Sequence, residues 1–178
     1  MDQTNLGQRF VNGGEEELEE VIQFYGEKLL RYATAIICDY HEAENIVQEV
    51  FFAAYQNRAT FDGSNLSAWL YKITYHRSLN QQKKRKILFY EAIHRVEDSQ
   101  QSDQGLSDET LRALQKLKPK ERAILYGRVI EENSYEELAL LTGSSPATLR
   151  KRYERAKHKL AKYLHVEHSR RESSYGGV

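Results

Sequence analysis

SYEELALLTGSSPATLRKRYERAKHKL, residues 134–160, reads as a short helix, a tight turn and a longer helix. Ser134 followed by Glu137 fits a capping box, in which hydroxyl and carboxylate each accept from a backbone N–H that the first turn leaves free. Tyr135, Leu138 and Ala139 supply the apolar side of the short helix. Thr142 and Gly143 end it, because glycine enters the left-handed region without a β-carbon clash. Ser145 can cap the next helix, and Pro146 suits its first position. Leu149, Tyr153, Ala156, Leu160 and Leu164 then fall on one side. This is the helix-turn-helix arrangement.

In such a unit the second helix enters the major groove, with its amino-terminal residues toward the base edges. Those residues here are Ala147, Thr148, Arg150 and Lys151, with apolar Leu149 turned to the core. Arginine can donate two hydrogen bonds to guanine, and threonine can hydrogen-bond or offer its methyl to thymine. Arg152, Arg155, Lys157 and Lys159 suit phosphates. Thr148, Arg150, Lys151, Arg152 and Arg155 are therefore the candidate DNA-binding residues of this segment. A basic surface helix closing a bundle would explain the charge. It would not explain the cap, the glycine turn and the second cap in sequence.

Upstream, Leu111, Leu114 and Leu117 line one helix, and Pro119 opens another carrying Ala123, Ile124, Tyr126, Val129 and Ile130. The second domain thus spans 108–164. Residues 91–107 form an acidic linker, since 95–108 read RVEDSQQSDQGLSD with few apolar side chains. Residues 165–178 lose periodicity and are read as a disordered tail.

The first domain spans 15–90. Leu18, Val21, Ile22, Tyr25, Leu29, Tyr32, Ala33, Ile36 and Ile37 make one helical stripe. Five glutamates between 15 and 20 stand where the helix dipole favours them. Ala43, Ile46, Val47, Val50, Phe51, Ala54 and Tyr55 make a second stripe. Phe61 to Asn65 form a turn, and Ser64 or Asn65 can cap a third helix that points Leu66, Trp69, Leu70 and Ile73 inward. The fold class is all-α, two small helical domains with a helix-turn-helix in the second.

The formal net charge is zero, with 26 basic and 26 acidic residues, yet the charge is strongly patterned. Residues 96–109 hold five acids and no base, residues 72–86 hold six bases and no acid, and residues 147–162 hold seven bases and one acid. DNA responds to charge within about 10 Å at moderate salt, so the local stripes matter more than the total. Cys38 is the single cysteine, which excludes an intrachain disulfide and a cysteine-rich zinc site. His165 and His168 lack evident partner ligands, so no metal or cofactor is expected. No glycine-rich phosphate loop, carboxylate pair or Cys–His arrangement points to an enzyme. The amino terminus lacks a signal peptide pattern, and no apolar run reaches the length of a membrane span. A cytoplasmic protein with no direct membrane insertion is expected.

Both halves resemble the extracytoplasmic-function sigma factors, the compact group of the sigma-70 superfamily that keeps only regions 2 and 4. In DYHEAENIVQEVFFAAYQN, residues 39–57, the matching positions are Asp39, Ala43, Glu44, Val47, Gln48, Glu49 and Phe51. In FDGSNLSAWLYKITYHRSLNQQKKRK, residues 61–86, they are Phe61, Gly63, Ala68, Trp69, Leu70, Tyr71 and Ile73. In residues 134–160 they include Ser134, Tyr135, Glu137, Ala139, Gly143, Ser145, Thr148, Arg152, Arg155, Ala156 and Leu160. Asn45 and Asn80 stand where the family usually has aspartate, and Tyr75 and His76 replace an Arg–Asn pair.

The resemblance implies a factor that binds core RNA polymerase and promoter DNA and is restrained by an anti-sigma factor. It implies polymerase contacts at Glu44, Gln48 and Glu49, −10 element contacts in the first domain and −35 contacts in the second. For the −10 element the candidates are Phe61, Asn65, Tyr71, Lys72, His76, Lys83 and Lys84. Cations serve the backbone, and an aromatic face or pocket serves an exposed base. The linker acids either mimic nucleic-acid charge or act as a plain spacer. Two other readings compete: a stand-alone helix-turn-helix regulator, and an adaptor whose basic faces meet acidic proteins.

Overall fold

The computed structural model describes the backbone of residues 3–91 and 108–175, with side chains over 5–85 and 110–164. Among these residues every regular element is a helix: α1 (Gln3–Asn12), α2 (Glu15–Ile37), α3 (Tyr40–Asn57), α4 (Leu66–Glu91), α5 (Asp108–Gln115), α6 (Pro119–Val129), α7 (Tyr135–Thr142) and α8 (Pro146–Tyr175), plus a 3-10 turn at Arg58–Thr60. They form two compact units, residues 1–95 and 96–178. The linker expected over 91–107 lies, apart from Glu91 at the end of α4, outside the described residues.

In the first unit the glutamates opening α2 act locally. Glu17 Oε2 accepts from the Gly14 N–H at 2.8 Å, and Glu20 pairs with Arg9 of α1. The helix ends at Cys38, whose φ of 55° is left-handed, with its N–H bonded to the Thr34 carbonyl. Asp39 then caps α3 by accepting from the Glu42 N–H at 3.1 Å. Tyr25, Leu29, Tyr32 and Ile36 of α2 and Ala43, Val50 and Ala54 of α3 are fully shielded. Each fully buried leucine, isoleucine or valine among them contributes roughly 1.5–3 kcal/mol of hydrophobic stabilisation.

Three features differ from the periodicity. The periodicity starts the first domain at residue 15, but α1 precedes that limit and packs on the unit with Phe10 and Leu6 buried. The buried face of α4 runs through Leu66, Leu70, Tyr71, Thr74, Tyr75 and Ser78, while Trp69 and Ile73 are half-exposed. The helix is thus rotated by about one residue, on the order of 100°, from the expected stripe. The ring of Tyr71 meets Tyr32 of α2 with centroids 5.1 Å apart. Finally, α8 continues to Tyr175, past the limit of 164. No glycine or proline interrupts residues 147–175, so the backbone can stay helical after the apolar stripe ends. Residues 176–178 of the expected tail lie outside the described residues.

In the second unit, Ile124 of α6, Leu138 of α7 and Leu149 of α8 form the central cluster, flanked by Tyr135, Ala139 and Tyr153. Arg122 is buried but not wasted as a charge. Its Nη1 donates to the carbonyls of Leu114 and Leu117, at and just past the end of α5, at 3.3 and 3.2 Å, and the Leu114 carbonyl also accepts from the Leu117 N–H at 2.9 Å. Glu121 Oε2 accepts from the Lys118 N–H at 2.9 Å, and Glu121 Oε1 accepts from Lys159 Nζ of α8 at 2.7 Å.

Candidate nucleic-acid interface

The turn between α7 and α8 is built as the residues dictate. Ser134 Oγ accepts from the Glu137 N–H at 3.1 Å, and Glu137 Oε2 accepts from the Ser134 N–H at 2.7 Å. The Ser134 N–H first, and second the Ser134 hydroxyl, which donates to the same Oε2 at 2.8 Å, hold the Glu137 carboxyl below its ordinary range. Gly143 closes α7 at φ 70°. Ser145 Oγ then caps α8, accepting from the Thr148 N–H and lying 2.9 Å from the Thr148 hydroxyl.

These caps fix the start of α8 and therefore which side chains point outward. Thr148, Arg150, Lys151 and Arg155 are exposed, and Leu149 is completely buried. Arg155 Nε donates to the Lys151 carbonyl at 3.3 Å. Arg152 is half-buried, with Nη1 shielded from solvent. Lys159, expected at phosphates, is instead committed to Glu121. Burial works to raise the Glu121 carboxyl. The bonds from Lys159 and the Lys118 N–H, with the charges of both lysines, outweigh it and bring it below its ordinary range.

In the first unit, a shallow groove between α3 and α4 gathers Lys72, His76 and Lys84 beside Trp69, Ile73 and Asn80, with Ile46 and Glu49 on its α3 side. Lys83 is exposed but does not line it. Three candidate −10 residues have other work. Phe61 is buried and stacks on Trp69 at 4.8 Å and 17°. Asn65 Oδ1 caps α4, accepting from the Ala68 N–H at 2.9 Å, and the residue stays exposed. Tyr71 is 5% exposed, which corrects its reading as a surface side chain. Tyr75 is buried too. Asp62 and Ser64 stay exposed, with Asp62 accepting from the Ser64 N–H and hydroxyl. Arg85, next to Lys84, pairs with Asp39 at 3.2 Å.

On the outer face of α3, Gln48 and Glu49 are exposed, and Glu44 is half-buried beside His41. Glu49 is bridged to Arg77 of α4. Phe52, one turn beyond Gln48, is 63% exposed. Sequence reasoning passed it over because Phe51, next to it, carries the apolar stripe. An aromatic on the polar side of an amphipathic helix was the available signal.

The model of Sigma-70 region 2 matches residues 21–87, and that of Sigma-70 region 4 matches residues 107–160. The extracytoplasmic-function RNA polymerase sigma factor SigE of Mycolicibacterium smegmatis is 27% identical, the alignment covering 85% of this chain and 62% of that protein. The corresponding factor SigW of Bacillus subtilis is 25% identical, with 85% of this chain and 91% of that one covered. Among solved structures, the sigma factor RpoE of Bartonella quintana, in complex with the anti-sigma factor NepR, superposes with a TM-score of 0.72. That likeness, at 24% identity over 85% of this chain and 98% of the other, concerns the fold.

Proposed function

The chain belongs to the sigma-70 family, and we propose that this sigma factor directs transcription initiation by dividing promoter recognition between its two units. The second unit reads the −35 element. Arg150 and Lys151 reach base edges, Thr148 sits close to the groove wall, and Arg152 and Arg155 meet phosphates. The first unit engages the −10 element through Lys72, His76, Lys83 and Lys84, with the Phe61–Asn65 turn at the edge of a base pocket. It meets core RNA polymerase through Glu44, Gln48, Glu49 and the exposed ring of Phe52. The work is positioning and strand separation, with no bond made or broken by the factor.

One observation carries this reading: a capped turn presents Thr148, Arg150 and Lys151 outward from the first turns of a helix whose Leu149 is locked in the core. Linking two weak recognition events makes their combination selective, and the polymerase sets the spacing between them. The NepR complex of the Bartonella relative supports an anti-sigma partner that restrains this chain as well. We place the factor in the cytoplasm. Among the described residues no helix is long and apolar enough to cross a membrane.

Footprinting with and without core polymerase tests the proposal. Protection over both elements that requires the polymerase supports it. A palindromic duplex bound equally well by the chain alone would favour a stand-alone regulator.

A further inference from the structure

The first helix lies outside the stretch that the region 2 match covers, which begins at residue 21. It nevertheless sits against the turn that precedes α4. A β-carbon on Gly7 would stand 2.8 Å from the Gly63 carbonyl oxygen and 3.5 Å from Leu66 Cβ, so the two backbones meet with no room for a side chain. Gly63 has φ 78°, a conformation that other residues rarely hold, and a β-carbon there would lie 3.4 Å from Gln8 Cα. The turn therefore cannot yield by changing its own residue, and α1 cannot approach with any residue but glycine. A second tether crosses the same seam. Arg58 Nε donates to the Gly13 carbonyl at 3.0 Å, and its guanidinium lies over the Tyr55 ring. Phe10, completely buried, and the Arg9–Glu20 pair hold α1 itself in place.

We infer that α1 is a positioning element for −10 recognition: the Gly7–Gly63 backbone contact and the Arg58–Gly13 bond set the height of the Asp62–Asn65 turn. This rests on the reading of that turn as the edge of a base pocket. The turn has few side-chain anchors of its own. Asp62, Ser64 and Asn65 are exposed, and their hydrogen bonds are to each other and to the start of α4. A backbone pinned from behind keeps exposed polar groups in one geometry without covering them, which is what discrimination between bases needs.

Two variants break the seam by different chemistry. Gly7→Val overfills it, and Arg58→Gln removes the guanidinium tether without adding bulk. Each is reconstituted with core polymerase and titrated with single-stranded −10 oligonucleotides carrying every base at every position. Affinity for core polymerase and for −35 duplex is measured alongside. The right base at one recognised position is typically worth roughly 10- to 100-fold in affinity. The inference predicts that both variants bring that ratio toward one at the positions the turn reads, while polymerase and −35 affinities hold within about twofold. It is overturned if folded variants discriminate as the native chain does, or if polymerase affinity falls in parallel, since α1 would then only stabilise the unit. A native chain with no base preference in this assay would sink the −10 reading itself, separately from the role of α1. Arg58→Gln keeps the test open should Gly7→Val fail to fold.

Discussion

The guanidinium of Arg150 lies over the ring of Tyr135, 5.3 Å from its centroid, across the turn that joins α7 to α8. Arg128 of α6 shares the ring at 4.8 Å, and Tyr153 meets it edge-on. A cation over an aromatic face gains roughly 0.5–1 kcal/mol at an exposed site, enough to bias a long side chain toward one rotamer. Arg150→Ala should remove about 1–3 kcal/mol of discrimination at one −35 base pair and leave core polymerase affinity unchanged. Tyr135→Leu should weaken the same discrimination less, with Tyr135→Phe restoring it. Competition binding of holoenzyme to −35 variants checks all three; equal loss with Phe and Leu would show that the ring does not act through its face.

The Lys159–Glu121 bridge ties α8 to the start of α6 and predicts a pH dependence. The Glu121 carboxyl is held below its ordinary range in the folded unit, while an unfolded glutamate titrates near about 4.3. Its contribution is therefore complete above that unfolded value and is lost as pH falls through the lower folded value. The opening free energy of α6, taken from amide exchange after correction for the base-catalysed intrinsic rate, should stay constant from neutral pH to about pH 5 and fall on further acidification. Glu121→Gln should flatten that acid limb and cost about 1–2 kcal/mol at neutral pH.

Phe52→Ala should lower affinity for core polymerase by roughly tenfold or more, because an aromatic that is 63% exposed contributes little to the unit beneath it. Stability should change by no more than about 0.5 kcal/mol. Trp69, the single tryptophan, lies in the first unit and reports that unfolding by fluorescence. A large loss of stability with unchanged polymerase binding would reassign Phe52 to packing.

Gly143 isolates the backbone term. Its φ is 70°, and a β-carbon would meet nothing within 4 Å. Gly143→Ala should therefore cost about 1–2 kcal/mol from left-handed strain alone, and Gly143→Asn less. Thermal unfolding followed by circular dichroism measures both.

How far the sequence carried the reading varies by element, for physical reasons. The α7–α8 turn was fully legible because caps are local: Ser134, Glu137, Gly143 and Ser145 each do what their side chains, or lack of one, permit. The register of α4 was not. Its residues offer apolar or aromatic candidates on more than one side, and only packing against the neighbouring helices, where Tyr71 meets Tyr32 of α2, buries Tyr71 and Tyr75 and leaves Trp69 and Ile73 half-exposed. The same rotation turned Lys72, His76 and Lys84 into one groove and withdrew Tyr71 from the surface. The pairing of Lys159 with Glu121 spans 38 residues, a separation that no local pattern encodes. Likewise α1 depends on a glycine contact visible only once the chain has folded back on itself.

Run-off transcription with purified core polymerase on a library of promoter fragments, with and without the chain, tests the central claim most directly. Transcripts should start selectively from fragments sharing two elements at a constant spacing, and only when the chain is added. Arg150→Ala should relax the upstream element alone. Initiation that is equally unselective in the presence and absence of the chain would contradict the account.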